Sequence, residues 1–310
     1  MVASTLTIGW IGAGRMGAQL VKRLLGAGHS VAVYNRTRSK VEPLVESGAT
    51  VVDRPVDLAG CDVVFSMVSA SKDLEQVMLG ENGLLTDPER APKVIADSST
   101  VSPEMSETIR AAAQKRGTAL LATPVSGNPS VIAAGKLTVA VSGPRDAYEY
   151  VAPLLQTWGR GVTYVGEGEA ARIVKIAHNV FLGVVIQSLA EITVLAEKAG
   201  VSRADFLSFL NDSVMGSVFT QYKTPALVNL DFTPTFTHVL LQKDFDLGLT
   251  AAERLGVQMP VAQLTRDLVA KEVDAGNVND DFANLIVTIA KASGLELVSE
   301  NREVSDGLKA

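Results

Sequence analysis

The chain has 310 residues, 47% of them apolar and only 5% aromatic, which is enough material for two packed domains. Its formal net charge is −6 and its 28 basic residues are scattered, which excludes the basic face that a nucleic-acid partner requires. Cys61 is the sole cysteine, so no intrachain disulfide forms, and His29, His178 and His238 lack metal-ligand spacing, so no metal is expected. The N-terminus has no basic region ahead of its first apolar run, which reads as a cytoplasmic chain without a signal peptide.

Residues 5–11 (TLTIGWI) predict a buried strand and residues 16–25 a helix, so the motif Gly12-Ala13-Gly14-Arg15-Met16-Gly17 falls at the strand-to-helix turn. Gly12 permits the tight turn, Gly14 admits a pyrophosphate to the backbone, and Gly17 lets helix and strand pack closely. The free N–H groups and dipole of the helix N-terminus then favour the phosphates. After a second strand at 30–34, the place where NAD sites carry an acidic residue for the ribose is taken by Asn35, followed by Arg36 and Thr37. One reading of that basic tip is a solvated loop. The other, which the preceding glycine turn favours, is a guanidinium gripping a 2′-phosphate, hence NADP(H) preferred over NAD(H).

Further strands are predicted at 49–52, 62–67, 94–97, 118–121, 137–142 and 162–165, with helices between several of them, among them 103–116 and 145–158. This alternation predicts an α/β fold, a Rossmann-type parallel, doubly wound sheet over residues 1–165, with ligands beyond the carboxyl ends of its strands. From residue 166 the chain reads as all-α to residue 310, beginning with a long interdomain helix at 169–199. Helices follow at 202–211, 216–228 (with Pro225 kinking or ending it), 237–255, 261–274 and 281–293, and the polar tail from 298 is expected to fray. The long helix is the most apolar stretch, but Lys175, His178, Asn179, Gln187 and Glu191 interrupt it, so no membrane span is expected. It is apolar around too much of its circumference for one small domain to cover, which predicts a homodimer through the helical half.

Lys175 and Asn179 share a helix face at i, i+4 within apolar surroundings. Such a lysine either snorkels to solvent from a helix end, or is a proton-transfer group in a setting that lowers an ammonium pKa. The loop from Thr123 through Ser126, Gly127 and Asn128 to Pro129 suits either an anion nest for a carboxylate or a rigid turn with no ligand. Lys243-Asp244 by itself reads as a solvated charged pair on a helix.

Taken together, these segments resemble the β-hydroxyacid dehydrogenase family, which includes 3-hydroxyisobutyrate dehydrogenase, tartronate semialdehyde reductase and glyoxylate/succinic semialdehyde reductase. The resemblance rests on Gly12 to Gly17 with Asn35-Arg36-Thr37, on Pro124-Val125-Ser126-Gly127, on Gly166 to Asn179, and on Lys243-Asp244 with Phe236 upstream. It implies that Lys175 is the general acid–base and that Asn179 hydrogen-bonds the substrate. Ser126, Gly127 and Asn128 would hold the substrate carboxylate, with Phe236 and Asp244 reaching the site from a second subunit of a dimer or tetramer. Lys243 would reach the cofactor, and Met67, Val68 and Thr100 would line its pocket.

The chain departs from the family pattern in three places: Ala122-Thr123 precede the substrate loop and Asn128 follows Gly127, His178 stands where a second Asn is usual, and Gly135-Lys136-Leu137 replaces Gly-Thr-Leu. The expected activity is NADPH-dependent interconversion of a carbonyl and an alcohol on a small carboxylate-bearing substrate. Two rivals are an imine reductase or reductive aminase of the same fold, against which Lys175 argues, and a non-catalytic NADPH-binding scaffold protein, which would be expected to have lost that lysine.

Overall fold

A computed structural model describes residues 6–308, so Thr5, expected to open the first strand, lies outside the described residues. The chain packs as two compact units, one ending at Lys175 and the other starting at Ile176.

The first unit alternates strands and helices. In chain order these are β1 (Ile8–Ile11), α1 (Arg15–Gly26), β2 (Val31–Tyr34), α2 (Glu42–Val45), β3 (Thr50–Val51), β4 (Val63–Ser66) and α3 (Ser71–Leu79). There follow β5 (Val94–Asp97), α4 (Pro103–Lys115), β6 (Ala119–Ala122), β7 (Val125–Ser126), α5 (Pro129–Ala133), β8 (Leu137–Ser142), α6 (Arg145–Gln156) and β9 (Gly159–Gly166). The sheet order is β3-β2-β1-β4-β5-β6-β8-β7, with β9 beside β8. β1, β4 and β5 are buried along their whole length, as expected of strands covered on both faces. Ile8, Trp10, Val63 and Phe65 face one core, while Ile11, Val64 and Ile95 face another across the sheet.

The sheet is parallel from β3 to β6. It is not parallel throughout, because β8 runs antiparallel to both β6 and β7. The physical reason is the connection: α5 has five residues and spans about 7.5 Å, too short to carry the chain back along the sheet for a parallel crossover. Register aligns Ile11, Ser66, Asp97 and Ala122 in one row, so the loops after β1, β4, β5 and β6 leave from a common edge. The strand order reverses between β1 and β4, which makes that edge a switch-point crevice.

The helix α7 (Ala170–Lys198) has 29 residues and continues into the second unit. It is long and apolar enough to cross a membrane by length and composition alone, yet half of its most apolar window is buried within the protein, as in a core helix. The second unit continues with α8 (Arg203–Asp212), α9 (Val218–Asn229), α10 (His238–Leu255), α11 (Pro260–Asp274) and α12 (Leu285–Ala292), the last preceded by a 3-10 turn over Phe282–Asn284. Pro225 lies inside α9 and does not end it; Leu227 and Val228 beyond it are buried in the helical core.

The tail from 298 is anchored as far as it is described. Buried Arg203 donates to the carbonyls of Val228 and Val298, and the Asn229 side-chain amide donates to the Arg302 carbonyl and accepts from the Arg302 N–H. Leu295, Leu297 and Val304 pack on the helical core, and this supplies the apolar burial that composition alone did not reveal. Residues 309 and 310 of the expected frayed end lie outside the described residues.

Asp281 is the polar centre of the second unit. It accepts from Lys223 Nζ at 2.5 Å, from the N–H groups of Thr235, Phe236 and Ala283, and from the Thr235 hydroxyl. Burial pushes its carboxyl up, but Lys223 and the N–H donors outweigh burial and hold it below the usual carboxylate range. Its stabilising contribution is therefore present above about pH 4 and is lost as pH falls through the depressed folded value. Lys223→Met leaves this carboxylate buried without its counter-charge and is expected to cost about 3–5 kcal/mol by urea unfolding at pH 7. The loss relative to the native protein should shrink as the same measurement is carried to acid pH, where Asp281 protonates.

Candidate active site

The glycine turn is shaped by what surrounds each glycine. Gly12 has φ +95°, and a Cβ there would fall on the carbonyl oxygen of Met67; one at Gly17 would fall on the carbonyl oxygen of Gly12. Gly14 caps the N-terminus of α1, and nothing lies within 4 Å of where its Cβ would stand. Two closed glycines and one open one form a cradle suited to a pyrophosphate on a helix N-terminus, so these residues fit a dinucleotide. Ala13 is buried, Arg15 exposed and Met16 half-buried against the core.

Asn35 ties this turn to the basic loop: its Oδ1 accepts from Ala13 N–H at 2.9 Å and its Nδ2 donates to the Thr37 carbonyl at 2.7 Å. Both ends of its amide are thus engaged within the protein. Arg36 follows with its side chain 84% exposed, in a 3.1 Å ion pair with Asp73 near the start of α3. A pair this exposed adds little to stability, so its significance is where it holds the guanidinium. Arg38 pairs with Asp53. Asp73 was not among the residues singled out from the sequence, and no local pattern marks it.

Val68 N–H donates to Ser99 Oγ at 2.9 Å, and Met67 N–H to the Ile11 carbonyl at 2.9 Å, so the β4 loop is held beside the glycine turn. Thr100 follows Ser99 and is half-buried. Beyond β6, Ser126 at the end of β7 and Gly127 after it are half-buried ahead of α5. Asn128 is buried and caps α5, its Oδ1 accepting from Val131 N–H at 2.9 Å. That bond gives Asn128 a structural task which its place in the loop motif did not announce.

The first turn of α7 is tied to the same edge by groups that the sequence reading missed. Arg172 donates to Asp97 Oδ2 at 2.7 Å, to the Ser99 carbonyl at 2.7 Å and to Glu169 Oε2 at 3.1 Å. Arg110 bonds Glu169 Oε1 together with the carbonyls of Leu120 and Gly168. Asp97 and Arg172 are both buried. An arginine and a glutamate three apart at a helix start were a visible signal, but their partner on β5 was not. Lys175 lies one turn further on and is half-buried.

In the second unit, Asn179 is buried and donates from Nδ2 to Asp244 Oδ2 at 2.5 Å, while its Oδ1 meets His178 Nδ1 at 2.9 Å. Asp244 is therefore buried and bonded to Asn179 within one chain, not on a solvated face. Lys243 Nζ stands 3.5 Å from Asp244 Oδ1. Interlocking glycines bring α7 and α10 close enough for this contact. Phe245 fills the place of a Cβ at Gly183, and Val180 that of one at Gly248. Gly183 is one turn beyond Asn179 and Gly248 one turn beyond Asp244. Phe236 sits in the segment before α10, edge-on to Phe282 at 5.6 Å between centroids.

Two family models cover most of the chain. Residues 7–166 match the NAD binding domain of 6-phosphogluconate dehydrogenase, and residues 168–289 match the NAD-binding domain of NADP-dependent 3-hydroxyisobutyrate dehydrogenase. The chain belongs to the β-hydroxyacid dehydrogenase family. It is a nicotinamide-dependent hydroxyacid dehydrogenase, an oxidoreductase. Among its relatives, 3-hydroxyisobutyrate dehydrogenase of Pseudomonas aeruginosa is 31% identical over 288 residues, spanning 90% of this chain and 96% of that protein. The NAD-dependent L-serine dehydrogenase of Pseudomonas aeruginosa is 32% identical over 285 residues, spanning 89% of this chain and 95% of that one. The crystal structure of 3-hydroxyisobutyrate dehydrogenase from Salmonella typhimurium superposes with a TM-score of 0.81 at 25% identity, covering 91% of this chain and 99% of the other.

Proposed function

We propose that this dehydrogenase interconverts a carbonyl and an alcohol on a small carboxylic acid, preferring NADP(H) to NAD(H), with Lys175 as general acid–base. When bound, the nicotinamide would supply hydride to the carbonyl carbon in reduction or accept it from the alcohol carbon in oxidation. The observation that carries the reading is the polar face of α7: Asn179, one turn beyond Lys175, is buried and held by Asp244. A buried amide locked by a carboxylate is preorganised, so little ordering remains when it meets a substrate. In reduction the Lys175 ammonium donates its proton to the developing alkoxide, and in oxidation the amine takes the proton from the alcohol. Ser126 and Gly127 hold the substrate carboxylate, and Asn128 supports them by capping α5. Lys243 serves the cofactor, while Phe236 covers the substrate. Met67, Val68 and Thr100 flank the nicotinamide. Short hydroxy acids and semialdehydes are the expected substrates, because 3-hydroxyisobutyrate and L-serine name two of the relatives.

We also propose a homodimer formed by the helical unit. Phe181 and Leu195 on α7, Phe209 on α8 and Leu264 on α11 are between 63 and 73% exposed, more large apolar surface than a monomer ordinarily leaves in water.

The reaction is tested by assaying NADP(H) turnover with 3-hydroxyisobutyrate, L-serine, glyoxylate, succinic semialdehyde and a set of cyclic imines. Turnover of imines alone would replace the hydroxyacid reading. With the best substrate, Lys175→Met should lower kcat by about 10²- to 10⁴-fold while NADPH affinity stays near native. A folded variant with near-native kcat would remove Lys175 from the chemistry.

For the cofactor, a charge-assisted contact of Arg36 to a 2′-phosphate is worth about 1.5–3 kcal/mol, or roughly 10- to 150-fold. Arg36→Ala should weaken NADPH binding by that factor and leave NADH binding unchanged in fluorescence titrations. An unchanged NADPH-to-NADH ratio would refute the assignment.

For the assembly, light scattering at micromolar concentration should return twice the chain mass, and Leu195→Glu with Phe181→Glu should return the monomer. A native monomer would refute the dimer.

A further inference from the structure

The buried charges at the start of α7 ask for an explanation beyond stability. Asp97 Oδ1 accepts from Ser66 Oγ at 2.6 Å and from Ser99 Oγ at 2.7 Å, and its Oδ2 accepts from Arg172 at 2.7 Å. Every nitrogen of the Arg172 guanidinium has a partner: Glu169 on Nε, the Ser99 carbonyl on Nη1 and Asp97 on Nη2. Glu169 is held in turn by Arg110. Ser142 Oγ accepts from Ala171 N–H at 3.0 Å and donates to the Gly168 carbonyl at 2.8 Å. Apolar side chains of similar volume often stabilise a fold as well as such a set of ion pairs. What apolar packing does not give is direction, and a fork of planar donors fixes both the rotation and the axial position of the helix turn that carries it.

Lys175 is three residues beyond Arg172, so its Cα lies about 4.5 Å further along the axis and about 60° away around the helix. Its stem therefore starts from a point that Arg172 determines. Ser99 Oγ, bonded to the same Asp97 carboxylate, also accepts from the N–H of Val68 in the loop beside the glycine turn. One buried carboxylate thus holds both the β4 loop and the helix turn that precedes the lysine.

We infer that Asp97 and Arg172 are positioning residues, which set Lys175 in register with the β4 and β5 loops that face the cofactor. This rests on Lys175 being the acid–base. The pair acts through geometry and touches no reacting atom. Misplacement of a reacting group by about 1 Å costs on the order of 10²-fold in rate, so the effect is large enough to read.

The test uses the full chain and the best substrate from the panel above, with Arg172→Met, Arg172→Lys, Asp97→Asn and Arg203→Met. Arg203 is a fully buried arginine of the second unit, bonded to Glu197 and to backbone carbonyls, and serves as the control for a structural role. Thermal midpoint, NADPH affinity, substrate KM and kcat are measured on each. Arg172→Met is expected to lower kcat by about 10- to 100-fold with KM and NADPH affinity changed less than about threefold. Arg172→Lys should recover part of kcat, because it keeps a charge-assisted bond to Asp97. Asp97→Asn should lose both kcat and NADPH affinity, since it also loosens Ser99 and Val68. Arg203→Met should lower the thermal midpoint and leave the kcat of folded protein within twofold of native.

Folded Arg172 variants with native kcat, or a kcat loss matched by Arg203→Met, overturn the inference. So does a kcat loss that appears in KM to the same extent. Should Arg172→Met fail to fold, Arg172→Lys decides: the inference requires it to fall below native kcat at full occupancy of NADPH. Native kcat in Lys175→Met would instead overturn the acid–base reading on which this one stands, whereas loss in Lys175→Met with none in the Arg172 variants overturns this inference alone.

Discussion

The carboxylate of Asp97, closed off from water at the end of β5, meets the guanidinium of Arg172 from the first turn of α7. Much of the first unit converges on that contact. Parallel pairing brings Ser66 and Asp97 side by side in register, so the serine hydroxyl finds the carboxylate without any further loop. The chain then leaves β9, passes Gly166 and Gly168, and enters α7 where Ser142 and Arg110 already hold the Gly168 carbonyl. Breaking a buried pair is costly because one charge stays behind in a poor solvent for it. The sheet edge and the helix start are consequently held as one piece.

The helical unit solves a similar problem with different means. Its helices are apolar enough to slide against one another, and polar groups at three buried places limit that freedom. Asn179 with Asp244 pins α7 to α10, and the glycines one turn further on allow the backbones to come within reach. Asp281 gathers Lys223 and the segment around Thr235 and Phe236, so the stretch leading into α10 is held by a carboxylate 45 residues beyond Phe236. Arg203 stitches the tail to α9. Most polar atoms of these groups find partners within the unit, and since an unsatisfied one would cost about 1–3 kcal/mol, polar burial here selects one arrangement out of several apolar ones.

At the cofactor turn the constraint is steric. Gly12 and Gly17 are closed in by carbonyl oxygens, and only Gly14 faces open space. The turn can therefore admit a pyrophosphate at one glycine while the other two hold the helix against the strand. Arg36, held by Asp73, stands beside a turn whose shape does not depend on it. The cradle at the turn thus lies in backbone geometry, while the basic tip beside it is one exposed side chain.

The sequence by itself determined the alternation of buried strands and helices, the glycine turn, the change to helices after residue 166 and the i, i+4 pairing of Lys175 with Asn179. All of these are local: periodicity, turn chemistry and helical spacing act over a few residues and are written in the order of the chain. Tertiary structure alone decided the antiparallel return of β8, the docking of the tail, the burial of Asp244, and the meeting of Asp97 with Arg172 across 75 residues. Those outcomes depend on which distant groups share one buried place. A carboxylate or guanidinium looks the same in sequence whether it will be solvated or enclosed, and only the packed chain supplies the partner that makes enclosure favourable.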